Sequence, residues 1–137
     1  MDVEWLIIAD AAQVVGGKLY MLGGGYDRVT LAKAPPASHS MSVALSFLVP
    51  WNDTNVKHHF QLEILDGDGK SIVDGKGQFE LGRPPGITPG QNQRTQLAMN
   101  LSWNVEKLGS YEVVARVRDA EKRFPFYVIA GQPAAAV

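Results

Sequence analysis

The chain has 137 residues, 45% of them hydrophobic and 20% charged, with a formal net charge of -1 and no cysteine. That length suits one domain with a core of its own, and the composition is not that of a disordered chain. Disulfides, thiolate metal sites and a Cys nucleophile are excluded, and the 13 Lys and Arg are too scattered for a nucleic-acid footprint.

Residues 3–15 are apolar at nearly every position and read as a buried strand or as a helix, since Val3, Ile7, Ala11 and Val14 also fit helical spacing. Gly16-Gly17 then joins this run to the apolar residues 18–22, which favours a β-hairpin because that turn needs positive φ. Gly23-Gly24-Gly25 predicts a bulge or bend, with residues 26–31 continuing the strand beyond it. Ala34-Pro35-Pro36-Ala37 is a connector. Strands follow over 41–49 and over 58–65 around Phe60, Leu62 and Ile64, with the turn residues 50–54 between them.

Asp66-Gly67-Asp68-Gly69 is a tight turn by composition. A weaker strand comes in two pieces, 71–73 and 77–81, and its Gly75 and Gly77 suggest an edge. Residues 82–93, with three prolines and three glycines, form a long loop between sheets or a mobile flap. The clearest alternation is Leu97, Met99, Leu101, Trp103 and Val105, separated by Ala98, Asn100, Ser102 and Asn104, which predicts one face on a core and one in water. Residues 111–118 and 123–129 close the set, the latter with Phe124, Phe126 and Val128 on one side. Pro125 offers no amide hydrogen, so its strand is an edge there or meets its neighbour on the other side. Residues 132–137 are expected to be a flexible tail after a single domain spanning 1–131.

Several local patterns imitate active sites. Asp66-Gly67-Asp68-Gly69-Lys70 opens like a calcium loop, but Ser71 and Gly77 stand where that loop needs Gly and Glu. Gly69-Lys70-Ser71 lacks the first glycine of a phosphate loop, and the glycines of 16–25 lack dinucleotide-loop spacing. His58 and His59 are adjacent, so on a strand they face opposite ways; with His39 they are expected at the surface. No cofactor is implied. Arg116, Arg118, Lys122 and Arg123, interrupted by Asp119 and Glu121, read as a solvated hairpin tip.

Leu108-Gly109-Ser110-Tyr111, followed by alternating Val113, Ala115 and Val117, resembles the tyrosine corner of immunoglobulin-like sandwiches. It implies that Tyr111 packs inward and that its hydroxyl bonds back to the chain just upstream. The expected fold is therefore an all-β, antiparallel, immunoglobulin-like sandwich with an added N-terminal β-hairpin. Ala9-Asp10-Ala11-Ala12, Gly17-Lys18-Leu19 and Leu22-Gly23-Gly24-Gly25-Tyr26-Asp27 are similar to the opening of a group of small bacterial proteins known only as a domain of unknown function. That likeness implies a bacterial cytoplasmic β-sandwich and supplies no catalytic residue.

The function expected from these features is a non-catalytic interaction or assembly module. Trp5, Ile7, Tyr20 and Leu22 are its candidate surface, because an edge hairpin with two apolar faces calls for a cover. A second copy of the chain is the expected cover, and the sandwich's own loops are the alternative. The rival expectation is a small-ligand binder or a hydrolase with a loop-built site at Tyr26, Asp27, Arg28, Trp51 and Arg83. The acidic start Met1-Asp2-Val3-Glu4 is unlike a secretory leader, and no apolar run approaches the ~18 residues of a membrane span, so a cytoplasmic location without membrane or nucleic-acid partners is expected.

Overall fold

The computed structural model describes residues 1–131; the expected tail at 132–137 lies outside them. The described residues form strands β1 (Asp2–Val15), β2 (Lys18–Gly24), β3 (Arg28–Leu31), β4 (Ala37–Val49), β5 (Lys57–Asp66), β6 (Ser71–Glu80), β7 (Gln93–Val105), β8 (Gly109–Val117) and β9 (Ala120–Ala130). They make two sheets, ordered β2-β1-β4-β7 and β3-β9-β8-β5-β6, packed face to face as an all-β sandwich. The core between them takes the inward residues of both sheets, among them Ile8, Val43, Phe47, Ile64, Val113 and Phe126. Alternation explains this: on β4, Met41, Val43, Leu45, Phe47 and Val49 all join the core.

Residues 3–15 are strand, not helix. Gly16 and Gly17 both have positive φ (57° and 75°), which closes a two-residue hairpin with Val15 opposite Lys18. The hairpin is not simply an addition. Over Asp2 to Ala9, β1 pairs antiparallel with β4, with one irregularity between Val3 and Trp5, and is a full member of the sandwich. Only beyond the Ala9–Ser42 pair does it belong to the hairpin alone.

Residues 26–31 do not prolong β2. Gly23 and Gly25, with φ of 60° and 89°, turn the chain toward the other sheet, where β3 pairs parallel with β9. One pairing in the sandwich is thus parallel, whereas the expectation was wholly antiparallel. Strand β6 is continuous over Ser71–Glu80 and does lie at an edge. The 82–93 loop crosses from the five-stranded sheet to the four-stranded one. Pro125 stands opposite Glu112 of β8, short of the stretch of β9 that pairs with β3, so its missing amide leaves that parallel pairing intact.

Two local features pin the ends of the sandwich. Tyr111, almost fully buried, donates its hydroxyl to the Lys107 carbonyl at 2.6 Å. Its ring lies 5.1 Å from Trp103 and 5.7 Å from Phe126, centroid to centroid. In the β5–β6 turn, Asp66 accepts the backbone N–H groups of Asp68 and Lys70, both at 2.9 Å. Those bonds, Lys70 first, hold its carboxyl below the usual carboxylate range.

Candidate functional site

Three of the large apolar residues that the core does not absorb lie on the hairpin, and the others (Val56, Ile72, Leu108, Tyr127 and Ile129) are spread over the rest of the described residues. Val15 is 54% exposed, Tyr20 54% and Leu22 73%. Strand alternation sets Tyr20 opposite Gln13 and Leu22 opposite Ala11, on the side of the ladder that also carries Ile7 and Trp5. Trp5 and Ile7 are half-buried, opposite Ser46 and Ala44 of β4. The four residues expected to form one surface are therefore graded: two sit in the sheet and two stand out on the hairpin.

The hairpin is held against the sheet by a polar tie. Asn100 of β7 donates Nδ2 to the Ala12 carbonyl at 3.2 Å, and Ser42 of β4 donates its hydroxyl to Asn100 Oδ1. A groove of about 530 Å³ runs between hairpin and sheet, lined by Ala11, Ala12, Tyr20, Met21, Leu22 and Asn100. This tie escaped the sequence reading, because Ser42 and Asn100 stand on faces that the alternation assigned to water. Ser42, Ala44 and Ser46 are in fact fully buried although they point away from the core.

The remaining edges carry charge. β6 has Asp74, Lys76 and Glu80, β7 has Arg94 and β3 has Arg28, while β2 has Lys18 at its start and then runs Leu19-Tyr20-Met21-Leu22 without a charge. Charge along an edge discourages pairing with another strand, and β2 has that protection only at Lys18.

The five residues of the loop-built site fall in two places. Arg83 stacks its guanidinium 3.7 Å above the Trp51 ring, donates Nε to Thr54 Oγ1 at 2.6 Å and donates Nη2 to the Trp51 carbonyl at 2.9 Å. Tyr26, Asp27 and Arg28 lie elsewhere, near the Ala9–Ser42 level, where the Asp27 carbonyl accepts the Tyr127 N–H at 2.8 Å. Val49, next to the Trp51 turn, is seven residues along β4 from Ser42, roughly 23 Å at strand rise. Tyr26 lies within the influence of Asp10. Burial first, and then the charge and hydrogen bond of Asp10, push its phenol up to about 12.

The histidines divide. His59 is exposed, but His58 is 2% exposed, which corrects the surface placement expected for it. Its Nε2 donates to the Asp53 carbonyl at 2.7 Å, and its ring lies 5.4 Å from Phe79. His39 is half-buried, 6.4 Å edge-on to Trp103, and burial lowers its pKa. Among the described residues, no group of three or more His, Asp or Glu is placed to hold a metal ion.

The basic cluster is a network of pairs. Arg116 binds Glu63 and Glu121, and Arg123 binds Glu112 at 2.8 Å and Glu121 at 3.4 Å. Arg118 binds Asp53 at 2.9 Å. These residues lie on β8, β9 and their turn as expected, but three of the four spend their charge on carboxylates.

A further cavity, about 580 Å³, opens where the β5–β6 turn meets the end of β7, lined by Asp66, Lys70, Ile72, Trp103, Lys107 and Tyr111. Two of its carboxylates are already engaged: Lys107 Nζ is 3.0 Å from Asp68 and 3.6 Å from Asp66.

Fold and site together define an all-β two-sheet sandwich whose unprotected feature is the free apolar edge of an N-terminal hairpin. The chain belongs to a family described as "Family of unknown function (DUF6941)", whose model matches residues 4–129. No curated protein matches it. Among solved structures, a provisionally assigned β-galactosidase from Bacteroides fragilis is similar at a TM-score of 0.42 and 16% identity. The match covers 86% of this chain and 15% of that one, and at that score it carries no functional inference.

Proposed function

We propose that this protein is a non-catalytic protein-interaction module that docks through its β1–β2 hairpin. The carrying observation is the coincidence of a free edge strand, uncharged beyond Lys18, with the exposed side chains of Val15, Tyr20 and Leu22. Burying one such side chain is worth roughly 1.5–3 kcal/mol, so covering this edge is a real driving force. Several charged and polar side chains elsewhere are spent on structure: Arg116 and Arg123 on carboxylates, His58 on a carbonyl, Arg83 on Trp51 and Thr54. That supports a protein partner over a nucleic acid. Among the described residues no helix is long and apolar enough to cross a membrane.

The immunoglobulin-like character of the sandwich is part of the same proposal. Its support is the Tyr111–Lys107 bond and a first edge divided between sheets, with β1 antiparallel to β4 and β3 parallel to β9.

The test is chemical cross-linking in cells expressing the tagged chain and its Leu22→Asp variant. Leu22 is exposed, so the substitution leaves the fold intact. Adducts of defined mass, lost in the variant, are expected. The same adducts in both would overturn hairpin docking.

A further inference from the structure

We propose that the hairpin's partner is a second copy of this chain, joined edge to edge through antiparallel β2 strands about a two-fold axis at Tyr20. This rests on hairpin docking and specifies the occupant of that edge. Three observations lead to it.

The first is the direction of the backbone groups. In a two-residue hairpin the closing pair, here Val15 and Lys18, exchanges its backbone hydrogen bonds, and alternate pairs do the same. Lys18, Tyr20 and Leu22 thus turn their N–H and C=O toward β1, while Leu19 and Met21 turn theirs outward. A two-fold at Tyr20 sets Leu19 opposite the second copy's Met21 and Met21 opposite its Leu19. Each outward donor then meets an outward acceptor.

The second is the side chains. In that register Tyr20 meets its own copy in a non-hydrogen-bonded pair, where Cα atoms approach to about 4.5 Å and side chains lie closest. Leu22 meets Lys18, whose methylene stem covers it while the ammonium stays in water. The exposed rings and Leu22 are covered and no charge is buried. An isologous interface requires such a patch to be complementary to itself.

The third fixes the register. Moving the axis to Met21 would bring Gly23 into the new ladder. Gly23 has φ of 60° and is not paired with Asp10, so regular strand geometry ends at Leu22. The Tyr20 axis uses only residues 18–22. Two four-stranded sheets then become one continuous sheet.

The test uses purified full-length chain. The native sequence has no cysteine, so single substitutions report without interference. Sedimentation is expected to show a concentration-dependent dimer that Tyr20→Lys reduces to monomer, with an unchanged dichroism spectrum. Under mild oxidation Tyr20→Cys is expected to link to itself, since its Cα spacing suits a disulfide. Lys18→Cys and Leu22→Cys are expected to link when mixed and not alone. A monomeric wild type with unlinked Tyr20→Cys overturns the second-copy partner. A dimer indifferent to Tyr20→Lys, or one in which Leu22→Cys links alone, overturns the register. Cellular adducts that depend on Leu22 together with a monomeric purified protein would leave hairpin docking standing and this inference refuted. Loss of both results would remove both.

Discussion

Tyr111→Phe isolates one hydrogen bond of the corner between β7 and β8. The phenol donates to the Lys107 carbonyl at 2.6 Å, and Tyr111 is 4% exposed. Phenylalanine keeps the packing of the ring on Trp103 and Phe126 and removes only the donor. A buried hydrogen bond contributes about 0.5–1.5 kcal/mol net, and stranding its acceptor costs about 1–3. The Lys107 side chain is half exposed, so water can reach this corner and the loss should stay near the lower range, about 1–2 kcal/mol. At this chain length that lowers the melting temperature by roughly 4–7 °C. Tyr111→Ala removes the ring as well and should cost about 3–5 kcal/mol, as large aromatic truncations do. Urea unfolding followed by far-ultraviolet dichroism measures both, and an unchanged slope shows that the unfolded state is not the cause. If Tyr111→Phe unfolds at the wild-type midpoint while Tyr111→Ala is strongly destabilised, the hydroxyl does not close the corner and only ring packing matters.

Asn100→Ala removes the tie between β4, β7 and the hairpin; it should cost about 1–2 kcal/mol and raise amide exchange selectively in residues 10–15, whereas uniform exchange would show that the hairpin is held by other means. Alkaline titration of tyrosinate absorbance should contain a component at about 12 that Tyr26→Phe deletes and Asp10→Asn moves down toward 10; indifference to Asp10→Asn would refute that pairing. The Asp66 carboxyl is held low in the folded state, so it stabilises the fold above the ordinary carboxylate pKa, and that contribution is lost as pH falls through the folded value. Asp66→Asn should therefore be less stable than wild type at neutral pH and lose less on acidification below about pH 4; parallel acid limbs would contradict this. At protein concentrations low enough to keep the chain monomeric, Leu22→Asp should change stability by less than about 0.5 kcal/mol because the side chain is 73% exposed, and a large loss there would place Leu22 in a packed environment within one chain.

Much of the layer structure is legible in local residues. Period-two hydrophobicity marked β4, β5, β7, β8 and β9, because a strand with one face on a core must alternate. Gly16-Gly17 marked the hairpin, because few other residues accept two successive positive φ angles. The edge position of β6 and the inward Tyr111 were legible for similarly local reasons.

What the chain alone could not decide is which surfaces end up covering which. Residues 26–31 look like a continuation of β2, yet backbone turns at Gly23 and Gly25 and the free flank of β9 place β3 in the opposite sheet. His58 looks like a surface residue until the Trp51–Asp53 turn presents a carbonyl to its ring. Ser42 looks solvated, yet it is fully buried beside an Asn100 that stays exposed and ties to the hairpin, while Tyr20 and Leu22 are left outside. Alternation is dictated by neighbours one and two residues away. Burial depends on segments as far apart as Ala12 and Asn100, whose approach only the folded chain establishes.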